Sequence, residues 1–189
     1  MEILYPRLSV RDLLALVATT VLGACIAGVY GALHDQISYS ISPEYFTRMK
    51  FEQFGLTGLA NGSPRLAAGE VGVLATWWVG AIGGWLIGRA GRPRAWRTSL
   101  RAIGVSMLVA MFAGIAGAAL GTLRVRGDLA SWSAWQDGLG IHDLKAFVVV
   151  AYLHDASYAG ALAGIVLAIV QVRCSARSGR NAAGISSQP

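Results

Sequence analysis

Four long apolar runs, at about 13–33, 71–88, 102–123 and 146–172, alternate with segments where charge, glycine and aromatic residues gather. About 20 predominantly apolar residues are needed to cross a hydrocarbon layer of roughly 30 Å, and each run approaches or exceeds that length. The pattern predicts an all-α integral membrane protein, a four-helix transmembrane bundle forming one domain over 1–172. The last residues, 173–189, are rich in Ser, Gly, Arg and Asn without apolar periodicity and read as a disordered cytoplasmic tail.

Polar punctuation places the helix starts. Ser9-x-x-Asp12 puts a hydroxyl at an N-cap and a carboxylate three residues on, so the first helix should begin near residue 10. Whether that helix carries His34 and Asp35 or releases them into a loop stays open from the pattern. Ser42-Pro43-Glu44 is a second start signal, and 43–54 reads as a short interfacial helix in the first outer loop. Tyr45, Phe46, Met49, Phe51 and Phe54 make its greasy side, while Glu44, Arg48 and Glu52 lie on another. After the Gly/Asn/Ser-rich stretch 55–63, Ser63-Pro64 should start the second long helix and bring Glu70 onto its outer third. Trp132 and Trp135 in the third loop fit a membrane-interface belt.

Small residues recur at four-residue spacing in every run: Gly23/Ala27/Gly31, Gly80/Gly84/Gly88, Ala113/Gly117/Gly121 and Ala156/Gly160/Gly164/Ala168. In lipid, where apolar burial no longer drives association, such stripes mark close helix contacts. They predict a compact bundle and leave room for a homo-oligomer or a membrane-complex partner.

Composition narrows the class. With 54% hydrophobic residues among 189 and a mean hydropathy of +0.52, the chain is too apolar for an ordinary soluble domain. Ten of its 16 basic residues lie in the N-terminal segment, the middle loop and the tail, and six in the other two loops. Basic residues near helix ends resist translocation, so both termini are expected in the cytoplasm of a multi-pass inner-membrane protein. The net charge of +6 comes largely from these arginines. Orientation and anionic lipid account for them, and no nucleic-acid-binding module is present. Cys25 lies mid-run and Cys174 in the tail, too far apart for a disulfide. The run Leu22-Gly23-Ala24-Cys25 resembles a lipobox, but apolar sequence continues to Leu33, which favours a span over a cleaved signal.

Candidate chemistry concentrates at the outer side. All three histidines are followed by aspartate, His34-Asp35, His142-Asp143 and His154-Asp155, although the chain has six aspartates in all. Two pairs head similar segments, HDQISY at 34–39 and HDASY at 154–158, each at the same expected depth. Imidazoles and carboxylates near lipid are costly unless paired or functional. An antiparallel bundle would bring His34, Asp35, Glu70, His154 and Asp155 to one level, with Tyr39 and Tyr158 a turn away. Such a set suits a transition metal, for which His34 and His154 are the candidate ligands, or a proton relay. Two histidines on different helices would also be needed for a bis-imidazole haem. The structural alternative is that His and Asp satisfy one another and fix helix packing. His142-Asp143, in the loop, reads as solvated.

The run HDQISYSISPEYFTRMKFEQFG, with ATWWVG and HDASY, resembles a group of small bacterial four-span membrane proteins that carry an H-D-Q…E-Y-F-T segment after the first span. The likeness covers 34–55, 75–80 and 154–158 and singles out His34, Asp35, Gln36, Glu44, Tyr45, Phe46 and Thr47. It implies a bacterial four-span architecture and no particular reaction. Two functional classes follow: a membrane protein with a polar site for a ligand, a metal or proton-coupled chemistry, or a non-catalytic scaffold packing through its Gly/Ala stripes.

Overall fold

The computed structural model describes residues 9–91 and 96–185, without the side chains of 96 and 176–185. Four long helices make the bundle: α1 (Val10–Ile41), α4 (Pro64–Ala90), α5 (Trp96–Arg124) and α7 (Leu144–Ile185). Each contains a window long and apolar enough to cross a membrane. Between α1 and α4 lie α2 (43–53) and α3 (Thr57–Gly62), and α6 (Ser133–Leu139) precedes α7. The described chain contains no strand. Only 28–33% of each apolar window is buried in the protein. Side chains such as Val29, Leu33, Phe112, Ile115, Leu162 and Val166 therefore face outward, which is untenable in water and ordinary in lipid.

The helices start where the sequence signals them, although Ser63 makes no side-chain cap bond. Ser9 Oγ accepts from the Asp12 N–H at the start of α1. Pro64 occupies the first turn of α4. The apolar runs underestimate the helices, because polar residues near lipid extend a helix without breaking it. α1 continues eight residues past Leu33 and carries His34 and Asp35 on its body. α7 stays helical through Ile185, well past the boundary at 172, and so enters the segment read as a tail. Residues 186–189 lie outside the described residues.

The small-residue stripes meet in two couples. α1 packs along α4, and α5 along α7, while contacts between the couples are sparse. In the first couple the Gly23 and Gly31 Cα positions abut the Gly80 and Gly72 backbones, and Gly84 abuts Thr19. Thr76 Oγ1 adds a 2.7 Å hydrogen bond to the Ala27 carbonyl across this seam. In the second, Gly117 meets Tyr152 and Ala156, Gly160 meets Ala110 and Ala113, and Gly164 meets Ser106. The stripes thus serve contacts inside one chain. Leu22–Cys25 lies in unbroken α1, with Gly23 in the seam and Cys25 exposed.

Leu16, Gly88, Gly91 and Val172 share one end of the bundle, which places the start of α1 and the end of the α7 span on the same side. At the opposite end, here the capped end, α2 closes the bundle. Its apolar side faces the protein rather than a lipid surface: Tyr45, Phe46 and Phe51 are buried with Ala67, Ala68, Val71, Ile141, Phe147 and Val150. Ser42 caps α2 by accepting from the Tyr45 N–H at 3.4 Å. A π turn over Phe46–Lys50 interrupts its α geometry, a local widening common beside functional sites.

Candidate functional site

Seven residues before its C-terminus, α1 turns His34 and Asp35 toward α7, which supplies His154 and Ser157 one turn apart. His34 Nδ1 lies 3.0 Å from Asp35 Oδ1 and its Nε2 lies 3.2 Å from Ser157 Oγ. An ionised carboxylate only accepts, so Nδ1–H donates to Asp35 and Nε2 accepts from the serine hydroxyl. The His154 ring meets the His34 ring edge-on with centroids 4.8 Å apart. His154 Nε2 sits 3.7 Å from the same Asp35 oxygen, too long for a hydrogen bond, and finds no other partner. His154 and Asp35 are each only 3% exposed. A buried ring nitrogen with no partner is a costly feature that a bound group would relieve.

One ligand atom from each of His34, Asp35 and His154 falls within 4.8 Å of the others. Bonds of about 2.0–2.2 Å to a metal would need those atoms near 3.3 Å from one another, a contraction that side-chain rotations can supply. Aromatic rings wall this centre: Tyr45 stacks on His154 at 4.9 Å, Phe46 lies 6.2 Å away, Tyr158 6.0 Å, and Tyr30 is 5.7 Å from His34. Ser38 Oγ donates to the His34 carbonyl at 3.0 Å and is wholly buried, holding the helix at the histidine.

The structure separates the expected constellation. His34, Asp35 and His154 come together with Tyr158 at their edge. Asp155, one residue from His154, points away and is exposed. It lines a second hollow of about 500 Å³ with Tyr45, Lys50, Trp132, Trp135 and Phe147. Glu70 is not among the grouped ligands. Tyr39 faces Phe46 at 5.6 Å, under the Arg65 guanidinium at 5.3 Å. Adjacent helix positions diverge by about 100°, so Asp155 cannot follow His154 inward. Ser157 and Tyr30 were not singled out from the sequence. Their spacing carried the signal, since Ser157 is three residues after His154 and Tyr30 four before His34.

The remaining motif residues hold the cap. Gln36 Nε2 donates to the Arg65 carbonyl at 2.7 Å, tying α1 to α4. Thr47 is exposed. The Glu44 carboxylate accepts from the backbone N–H of His142 at 3.1 Å and of Asp143 at 2.7 Å. Asp143 Oδ1 in turn accepts from the Ala146 N–H at 3.0 Å, capping α7. The third His-Asp pair is therefore a backbone latch for α2 rather than a free loop segment, a role invisible until α2 folds back over α7.

Desolvation, the largest single influence, raises the Glu44 carboxyl, but the Asp143 and His142 N–H groups and the His142 and Arg48 side chains together outweigh it and hold it below its ordinary 4.5. A depressed carboxylate stabilises the fold above its unfolded pKa and loses that contribution as pH falls through its folded one. Glu44→Gln should therefore lower stability by about 1 kcal/mol at pH 7. The difference from wild type should vanish as pH falls below 4.5; thermal melts in detergent at pH 7 and pH 3 check both. Lys50, 5.5 Å over the Tyr45 ring, is pushed down by burial against the pull of Asp35 and Asp155. Burial also drives the Tyr45 hydroxyl upward.

Searches against protein-family models, curated proteins and solved structures find no match to this chain.

Proposed function

We propose that this membrane protein binds a transition-metal ion between His34, Asp35 and His154, at the capped end of the bundle. The observation that carries the reading is the buried, partnerless Nε2 of His154, aimed at a carboxylate that a second imidazole already holds. Two imidazoles and one carboxylate suit Zn(II), Fe(II) or Mn(II) and leave a coordination position open. A metal on His34 Nδ1 would require the ring proton on Nε2, which could then donate to Ser157 Oγ, 3.2 Å away, as a ligating histidine does to an outer partner. A haem fits poorly, because two rings in edge contact at 4.8 Å leave no room for a porphyrin between them. Purified protein equilibrated with each ion and desalted should retain about one metal per chain. Retention of none by elemental analysis would return the cluster to a purely structural pairing, the reading under which the protein is a scaffold.

We further infer that the capped end faces away from the cytoplasm of a bacterial inner membrane. The support is the bias of ten basic residues against six toward the other side. A cysteine placed at position 61, in α3, should react with an impermeant reagent added to intact cells. Labelling only after lysis would reverse the orientation.

A further inference from the structure

The slot between the two helix couples encloses about 70 Å³, less than the roughly 150 Å³ of an apolar cavity that takes up one benzene ring. The hollow at the capped end, outside the buried histidines, is larger, about 500 Å³. Its floor is one face of α7, where Phe147, Ala151 and Asp155 follow at four-residue spacing. Ala151 ends at Cβ, so the space between Phe147 and Asp155 stays unfilled. Trp132 and Trp135, three residues apart, make one wall, and α2 makes the other with Tyr45, Lys50 and Gln53.

Neighbours fix most of these rings. Phe147 packs on Tyr45 at 5.1 Å and Trp132 on Tyr152 at 6.5 Å, while Trp135 stands at the rim, 50% exposed. Into this enclosure project one cation and one anion that do not pair with each other. Lys50 Nζ donates to Gln53 Oε1 at 3.1 Å and keeps two further N–H groups. With its oxygen engaged, the Gln53 amide offers its NH₂ group beside them. Asp155 is near enough to act on the Lys50 charge, yet makes no hydrogen bond or ion pair among the described residues. It is exposed within the span Leu144–Ser175, where a carboxylate is costly without a cation.

These charges select the occupant. An anion alone would meet Asp155, and a cation alone would meet Lys50. A neutral ligand would cover both charges and return nothing for their lost hydration. A zwitterion satisfies both at once. Aromatic walls favour a methylated ammonium, the least hydrated cation of this kind. The Tyr45 ring already carries Lys50 at 5.5 Å and stacks on His154, so the wall left for the cation is that of Trp132 and Trp135. Lys50 and Asp155 stand too far apart to pair, so the ligand's two charges need a spacer, such as the two-carbon link between the phosphate and nitrogen of phosphocholine.

We propose that the hollow binds a trimethylammonium zwitterion of the phosphocholine type, its phosphate oxygens at Lys50 and Gln53 and its nitrogen between Asp155 and the Trp132 and Trp135 rings. The occupant is a free solute or the headgroup of a phospholipid, and its binding is independent of any metal at His34 and His154.

The test titrates full-length protein in nanodiscs of phosphatidylglycerol, which has no ammonium, with tritiated glycerophosphocholine, using empty discs as the blank. Saturable binding near one per chain is expected. Trp135→Ala should weaken it about tenfold, the worth of one desolvated cation–π contact, and Asp155→Asn by about as much. Both side chains are exposed, so both variants should melt with the wild type. Lys50→Met should weaken glycerophosphocholine binding yet strengthen that of tetramethylammonium, a cation alone, whereas a merely structural role for Lys50 would move both in one direction. Discs containing phosphatidylcholine distinguish the sources: loss of glycerophosphocholine binding there assigns the hollow to a lipid headgroup, and undiminished binding assigns it to a free solute. No saturable binding in the phosphatidylglycerol discs, or binding unchanged in both Trp135→Ala and Asp155→Asn, overturns the proposal. Displacement by glycerol phosphate as effective as by unlabelled glycerophosphocholine overturns the zwitterion assignment in favour of a simple anion.

Discussion

His154→Ala should abolish stable metal retention, weakening affinity by more than about 100-fold. Removing a residue that merely orients a ligand costs about 10–100-fold, and His154 would be a ligand itself. Its ring contributes the nitrogen that no protein group satisfies, so its deletion removes the feature that makes the pairing look unfinished. Asp35→Asn preserves shape, removes the negative charge and should cost at least as much, because Asp35 Oδ1 lies nearest both imidazoles, at 3.0 and 3.7 Å. Asp155→Asn should leave retention unchanged, since Asp155 faces the outer hollow. Competition with a chromophoric chelator measures all three. Equal affinities for wild type and His154→Ala would refute the centre. A structural pairing alone would instead show a stability loss with no metal in either protein.

Gly72→Leu should be the most destabilising single substitution in the bundle, by about 3 kcal/mol or more, the upper end of what overpacking costs. A Cβ at Gly72 would run into the Gly31 backbone, and one at Gly31 into the Gly72 carbonyl and Thr76. Backbone cannot move aside as the end of a side chain can. The seam would have to open, and with it the 2.7 Å Thr76 to Ala27 bond and the placement of His34 three residues on. Gly104→Ala is the control: an added Cβ there meets nothing within 4 Å, and alanine is the better helix former. Midpoints of SDS unfolding read both. Gly72→Leu as stable as wild type would mean that this seam does not hold the couple together.

Much of the fold could be read from the chain because its signals are local. Twenty apolar residues report a span, Ser9, Ser42 and Ser63 report helix starts, and four-residue repeats of Gly and Ala report seams. Each depends on neighbours within a turn or two, where spacing and geometry are one thing. The run HDQISY stood out as a polar cluster for the same reason, since charge beside lipid is conspicuous wherever it occurs.

What lay beyond the sequence is what depends on partners far along it. The stripes announced close packing but not that α1 would choose α4, and α5 choose α7, leaving a slot between couples. Glu44 looked like the polar side of a surface helix. Only the return of α2 over α7 brings it to two N–H groups almost a hundred residues away. Equal depth promised Glu70, Asp155 and Tyr39 a place beside the histidines, yet depth is one coordinate of three. The rotation of each helix about its axis, set by which glycines seat against which backbone, brought His34, Asp35 and His154 together and turned Asp155 to the far side. Length, span count and the polar character of one end are properties of the chain. The membership of the site is a property of the packed bundle, because helix rotation is decided by close contacts between seams and not by any periodicity within one helix.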